Sequence, residues 1–233
     1  MNIIAKLLIT CAALLVSGIV TVTANAGANT DGAVMQVEIP VSTDTTLFEM
    51  VTDQNMGTAL TLIVGRINQN VGGRSRVLLR FDIKSAIPAG VTIQSVRMQF
   101  KVTAANNATP VSLTLHPMLR GWVDKSTWNH ASHPDGEWAS LGGGKGKDFS
   151  SVISGMTEIE GLAEYEFAST RRMVANVQAW LDNPTGNHGW MLRSKSEETQ
   201  RSARRLISSE DPSRKGPRLI VAYTKLPNST QQK

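Results

Sequence analysis

Residues 73–102 read GRSRVLLRFDIKSAIPAGVTIQSVRMQFKV. In the second half Val96, Met98, Phe100 and Val102 alternate with Arg97, Gln99 and Lys101. A period of two puts the apolar set on one face of a β-strand and the polar set on the other. The first half reads nearly the same way, with Val77, Leu79, Phe81 and Ile83 inward and Arg76, Leu78, Arg80 and Asp82 outward. Pro88-Ala89-Gly90 between them is a turn signal. The stretch therefore predicts two strands that share a core face and a wet, basic face.

Six further stretches have the same short, turn-bounded form: ALTLIVGR (59–66), VSLTLHPML (111–119), GLAEYEFA (161–168), GWMLRS (189–194), RRLISSE (204–210) and RLIVAYT (218–224). One segment departs from it. In STRRMVANVQAWLDNPTG (169–186), Met173, Val174, Val177, Trp180 and Leu181 recur at helical spacing, Ser169 or Thr170 stands ready as N-cap, and Pro184 and Gly186 end the run. Many short strands with one peripheral helix predict an all-β, jelly-roll-like antiparallel β-sandwich. At 233 residues one domain suffices. No fixed-period repeat is present, and LGGGKGKDF (141–149) is the one low-complexity tract.

The N-terminus sets the compartment. Lys6, a long apolar run and Ala24-Asn25-Ala26 have the form of a secretory signal peptide over residues 1–26, with Ala28 as the second choice of cleavage position. The run from Leu7 to Ala24 approaches the length of a membrane anchor, but its small-residue exit favours cleavage. Cys11 lies inside this leader, so the mature chain has no cysteine and holds together without disulfides. The reading is a secreted or cell-surface protein that leaves the membrane after cleavage. It has a lead-in over 27–43, a sandwich over 44–225 and a polar tail over 226–233.

A formal charge of +5 favours acidic partners. The candidate binding face is Arg66, Arg74, Arg76, Arg80, Arg97 and Lys101, because a planar guanidinium grips a carboxylate through two parallel hydrogen bonds. The plainer reading pairs these side chains with Asp and Glu across the sheet. Among five tryptophans, Trp122, Trp128, Trp180 and Trp190 read as core. Trp138 reads as the surface ring on which a sugar could stack. RSARRLISSEDPSRKGPR (201–218) is basic but interrupted by Glu210 and Asp211 and belongs to no nucleic-acid module, so no specific nucleic-acid partner is assigned.

Metal and catalytic chemistry find less support. His130, His133 and Asp135 lack the firm spacing of a zinc site. A structural calcium ion suits this fold class better, with Asp44, Asp53, Asn55 and Asp148 as conceivable ligands. Tyr165 and Tyr223 fall in strands, and Glu158, Glu160, Glu164 and Glu166 read as a wet strand face. There is no GxSxG, and no catalytic residue is assigned.

The blocks DTTL (44–47), LIVGR (62–66), RSRVLLRFDI…IPAGVTIQSVRMQFKV (74–102), VSLTLHPMLRGWVDKSTWN (111–129), VQAWLDNPTGNHGWMLRS (177–194) and LISSEDPSRKGPRLIVAY (206–223) follow one another in an order that resembles the DNRLRE-domain family. That family is classed with carbohydrate-binding modules as family 96. The resemblance implies an extracellular jelly roll that accompanies polysaccharide-acting proteins, with some members binding acidic polysaccharides such as alginate, and it implies no catalytic residues. The glycine-rich loop from His130 to Asp148 departs from the family pattern. The expected function is a secreted, non-catalytic module for an alginate-like polyuronate or another anionic glycan. The alternative is a structural or adhesive protein of the envelope or matrix that meets other matrix or envelope proteins, or itself, through the same face.

Overall fold

The computed structural model describes residues 20–21, 33–105, 107 and 109–225. Most of the expected leader, the lead-in up to residue 32 and the tail 226–233 lie outside the described residues. The strands are β1 (Val20–Thr21), β2 (Val34–Phe48), β3 (Thr61–Arg66), β4 (Arg74–Phe81), β5 (Val91–Ala105), β6 (Val111–Pro117) and β7 (His130–Ser132). They continue with β8 (Gly136–Glu137), β9 (Gly155–Ile159), β10 (Glu164–Phe167), β11 (Trp190–Ser194), β12 (Arg204–Ile207) and β13 (Arg218–Lys225). Helices are α1 (Ile83–Ala86) and α2 (Arg171–Asp182). No described helix is long and apolar enough to cross a membrane.

The fold is an antiparallel β-sandwich. One sheet joins the first half of β2 to β13, β5 and β10. The other joins the second half of β2 to β4, β11, β6 and β9. β2 serves both because it leaves β13 at Pro40, opposite Arg218, and takes up β4 from Val41 through an irregularity before Thr43. A strand that changes sheet through a bulge is how such corners are made. β12 and β3 complete a second connection, with β12 paired to β5 and to β3, and β3 to β4. Between the sheets lie Val77, Leu79 and Phe81 from β4, Val96, Met98, Phe100 and Val102 from β5, and Leu219, Val221 and Tyr223 from β13.

α2 matches the helix expected from the sequence. Thr170 Oγ1 accepts the Met173 N–H as N-cap, and Met173, Val177, Trp180 and Leu181 are buried. Trp180 meets Trp190 edge to face at 4.5 Å, so the helix closes one end of the core.

Four expectations change. β4 and β5 do not pair: β4 runs beside β2 and β11 in one sheet, and β5 beside β13 and β10 in the other. Ile83, read as the end of a strand, begins α1, because Asp82 Oδ1 accepts the Ser85 N–H and caps a helical turn. That turn carries the chain from one sheet to the other. The lead-in boundary at residue 43 also falls inside β2, so residues 34–43 belong to the sandwich. Lastly, the outer face of β4 is largely covered: Arg76 and Leu78 are buried along with Val77 and Leu79, and Arg74 and Arg80 are half-buried. The segment 118–149 covers its outer side with a second apolar cluster of Met118, Trp122, Trp128, Trp138 and Phe149 set against Leu47, Leu78 and Met191.

Candidate functional site

The basic residues predicted as one face are distributed over both sheets, and most are already engaged. Arg74 holds Glu49 through Nη2 to Oε1 at 2.5 Å and Nε to Oε2 at 3.0 Å, and reaches Glu198 with Nη1. These bonds keep the Glu49 carboxyl below its ordinary range. Arg76 forms the same fork with Glu197, at 2.9 and 3.1 Å, and its Nη1 donates to the carbonyls of Gly142 and Gly143. Burial works to raise the pKa of Glu197, but hydrogen bonds from Arg76 and Arg193 outweigh it and hold the group ionised. Arg66 donates to the Gln69 and Asn70 carbonyls and lies 3.7 Å from Glu198. On the opposite sheet Arg97 pairs with Glu166 at 3.1 Å, and Lys101 stands across from Glu164 in register.

Trp138, expected at the surface, is 6% exposed, and its Nε1 donates to the Thr127 carbonyl. It belongs to the covering segment, where arginines and indoles interleave. Arg74 and Arg76 lie over Trp128 at 5.4 and 5.3 Å, Arg80 over Trp122 at 5.0 Å, and Arg120 over Trp138 at 5.9 Å. A guanidinium stacks on an aromatic face while its N–H groups keep their in-plane partners. The glycine tract is a built part of this cover. A Cβ on Gly142, whose φ is +74°, would lie 2.7 Å from the Trp128 ring, and the buried Asp148 carboxylate accepts the N–H groups of Ala139 and Gly144.

Arg80 differs from its neighbours. Its Nη1 donates to the Trp122 carbonyl at 3.1 Å and its Nη2 to Thr43 Oγ1 at 3.3 Å, and among the described residues it forms no ion pair. It lines an open cleft of about 360 Å³ with Thr43, Asp44, Thr58, Asp124 and Glu210. Local chemistry explains the convergence. Asn55 Oδ1 accepts the Gly57 N–H, and a Cβ on Gly57 would fall 2.3 Å from the Asp124 carbonyl, so glycine is what lets the 55–58 turn abut residue 124.

Asp44 is the perturbed group of the cleft. It is buried, it accepts the Ser209 N–H at 2.8 Å, and burial, with the charge of Glu210 adding to it, pushes its pKa up to about 6. Burial also pushes the Arg80 pKa down, against the pull of Asp124. A titratable group displaced by burial and set in a cleft marks a candidate site. Arg80 was legible in the sequence as a site residue, and Asp44 only as a conceivable ion ligand. Asp124 and Glu210 carried no signal, because they reach the cleft from loops far apart in the chain.

The four conceivable calcium ligands do not converge. Asp44 faces the cleft, Asn55 holds Gly57, Asp148 is committed to the covering segment, and Asp53 lies beside His130. The chain matches no family model and no curated protein.

Proposed function

We propose that the protein is a secreted, non-catalytic carbohydrate-binding module for an extracellular acidic polysaccharide, as the resemblance to the DNRLRE-domain family implies. The observation that carries this reading is Arg80, a guanidinium stacked on Trp122 at the wall of a saccharide-sized cleft without a carboxylate of its own. A uronate carboxylate supplies the partner that Arg80 lacks. Asp124 and Glu210 accept sugar hydroxyls, and the hydroxyls of Thr43 and Thr58 donate or accept as required.

The charge balance limits the mode of binding. Three carboxyl groups face one guanidinium, so with Asp44 ionised the cleft itself repels a polyanion. Binding therefore strengthens between about pH 7 and pH 5, as Asp44 takes up its proton and the repulsion lessens. Without the leader, whose only charged residue is Lys6, the formal charge of +5 becomes +4, which aids approach and is screened by salt. The alternative of self-association through one basic face loses ground because β4 and β5 pair with different strands on the two sides of the sandwich.

Affinity electrophoresis in alginate and in a neutral glucan, at two salt concentrations, tests the proposal. Arg80→Ala is expected to weaken alginate binding about tenfold, in line with the 1.5–3 kcal/mol of a hydrogen bond to a charged group. Arg97→Ala is expected to leave it within about twofold, and the glucan should retard neither protein. Equal retardation of wild type and Arg80→Ala would reject the cleft. A concentration-dependent dimer with no affinity for alginate would favour the envelope-protein reading.

A further inference from the structure

Midway along the covering segment, three metal-ligating side chains from two parts of the chain face one another. His130 Nδ1 lies 3.2 Å from Asp53 Oδ1 and 3.5 Å from His133 Nδ1, and all three ligand atoms fall within 4.8 Å of one another. Among the described residues no other group of three His, Cys, Asp or Glu side chains is this close. A tetrahedral ion about 2.0–2.1 Å from nitrogen and oxygen ligands holds neighbouring ligand atoms about 3.3–3.4 Å apart. Two of the three separations bracket that value; the third, between Asp53 and His133, is longer but within 4.8 Å, and the exposed Asp53 carboxylate closes it by turning toward the ion.

The local backbone sets these atoms in place. His130 opens β7, its N–H donates to Thr127 Oγ1 at 3.1 Å, and its carbonyl accepts the Thr127 N–H at 2.9 Å. Asp53 comes from the turn after Glu49–Val51. That turn is tied to the same segment by the Asn129 N–H on the Thr52 carbonyl at 3.2 Å and by Asn129 Nδ2 on Asp53 Oδ1 at 2.9 Å. With both imidazoles neutral, two Nδ1 atoms facing each other can share at most one proton. A metal ion instead takes the lone pairs of both. Asp53 is 54% exposed in its side chain, which leaves the outer side of the group open to water or an incoming ligand.

The geometry points to a divalent transition-metal site of the zinc class, formed by His130 Nδ1, His133 Nδ1 and Asp53 Oδ1 with an open fourth position. Two imidazoles and one carboxylate suit zinc, copper or nickel and do not suit calcium or magnesium, which take oxygen ligands. The His130-x-x-His133 spacing is visible in the sequence, but Asp53 lies 77 positions before His130, so only the fold supplies the third ligand. The ion would clip the 49–57 turn to the tryptophan-rich cover. This inference is independent of the saccharide reading.

Calorimetric titration of the untagged protein with Zn²⁺ tests it, alongside visible absorption on loading with Co²⁺. One equivalent per chain is expected, unaffected by about a hundredfold excess of Ca²⁺, with at least a tenfold loss of affinity in His133→Gln and in Asp53→Asn. Co²⁺ should give the intense d–d bands of a tetrahedral complex in the wild type and lose them in both variants. His116→Gln, at a histidine outside the group, should bind as wild type. Binding no tighter than millimolar, octahedral Co²⁺ spectra, or equal affinity in wild type and the two ligand variants would overturn the site. Asp53→Asn alters an exposed side chain and keeps the test valid if His133→Gln proves unstable.

Discussion

Arg76 shows what a one-residue view of this chain misses. Its position in an alternating strand marks it as outward, which is correct, yet outward here means into a second core. Its partner Glu197 lies 121 positions away, and no local pattern announces it. Removing one member of a buried ion pair costs about 3–5 kcal/mol. Arg76→Ala is therefore expected to lower the denaturant midpoint sharply, whereas Lys101→Ala should leave it nearly unchanged. Asp44 yields a pH test. Its pKa rises from an ordinary 3.8 to about 6 on folding, so the native state binds this proton more tightly than the unfolded chain does. The associated stability is fully present below about pH 4 and is lost as pH rises through 6, up to about 3 kcal/mol at 1.36 kcal/mol per pKa unit. Asp44→Asn should accordingly raise the melting temperature at pH 8, and the gain should vanish near pH 4.

Elements were legible where one local rule acted alone. α2 has its cap, its apolar stripe and its stop in sequence, and Thr170→Ala is expected to cost about 1 kcal/mol in thermal unfolding. β5 was equally plain because only one of its faces is covered. β2 was not, since Pro40 and the polar run Ser42-Thr43-Asp44-Thr45-Thr46 break the alternation where the strand changes sheet. α1 hid inside a strand pattern because a single capping aspartate redirected it. Phe81 and Phe100, one in each sheet, were read as core from alternation alone, and both are buried. Truncating either to Ala should cost about 3–5 kcal/mol.

At the scale of the whole molecule, β4 and β5 pair with different strands on the two sides of the sandwich, and a tryptophan-rich segment covers the outer side of β4. Composition and periodicity suffice for an antiparallel sandwich, but they cannot tell a wet face from one lying under the cover formed by residues 118–149, because arginine suits both. The arginines of the expected basic face are largely paired within the fold, by Glu49, Glu197 and Glu198 around β4 and by Glu166 beside β5. Of the arginines in that expected face, Arg80 in its cleft is the one without an ion pair among the described residues. The most direct measurement follows the arginine Nε–Hε resonances of the ¹⁵N-labelled protein during titration with an alginate oligosaccharide at pH 5.5. The account predicts that the Arg80 signal shifts with saturation while those of Arg74, Arg76 and Arg97 stay in place. A shift at Arg97 with Arg80 unmoved would contradict it.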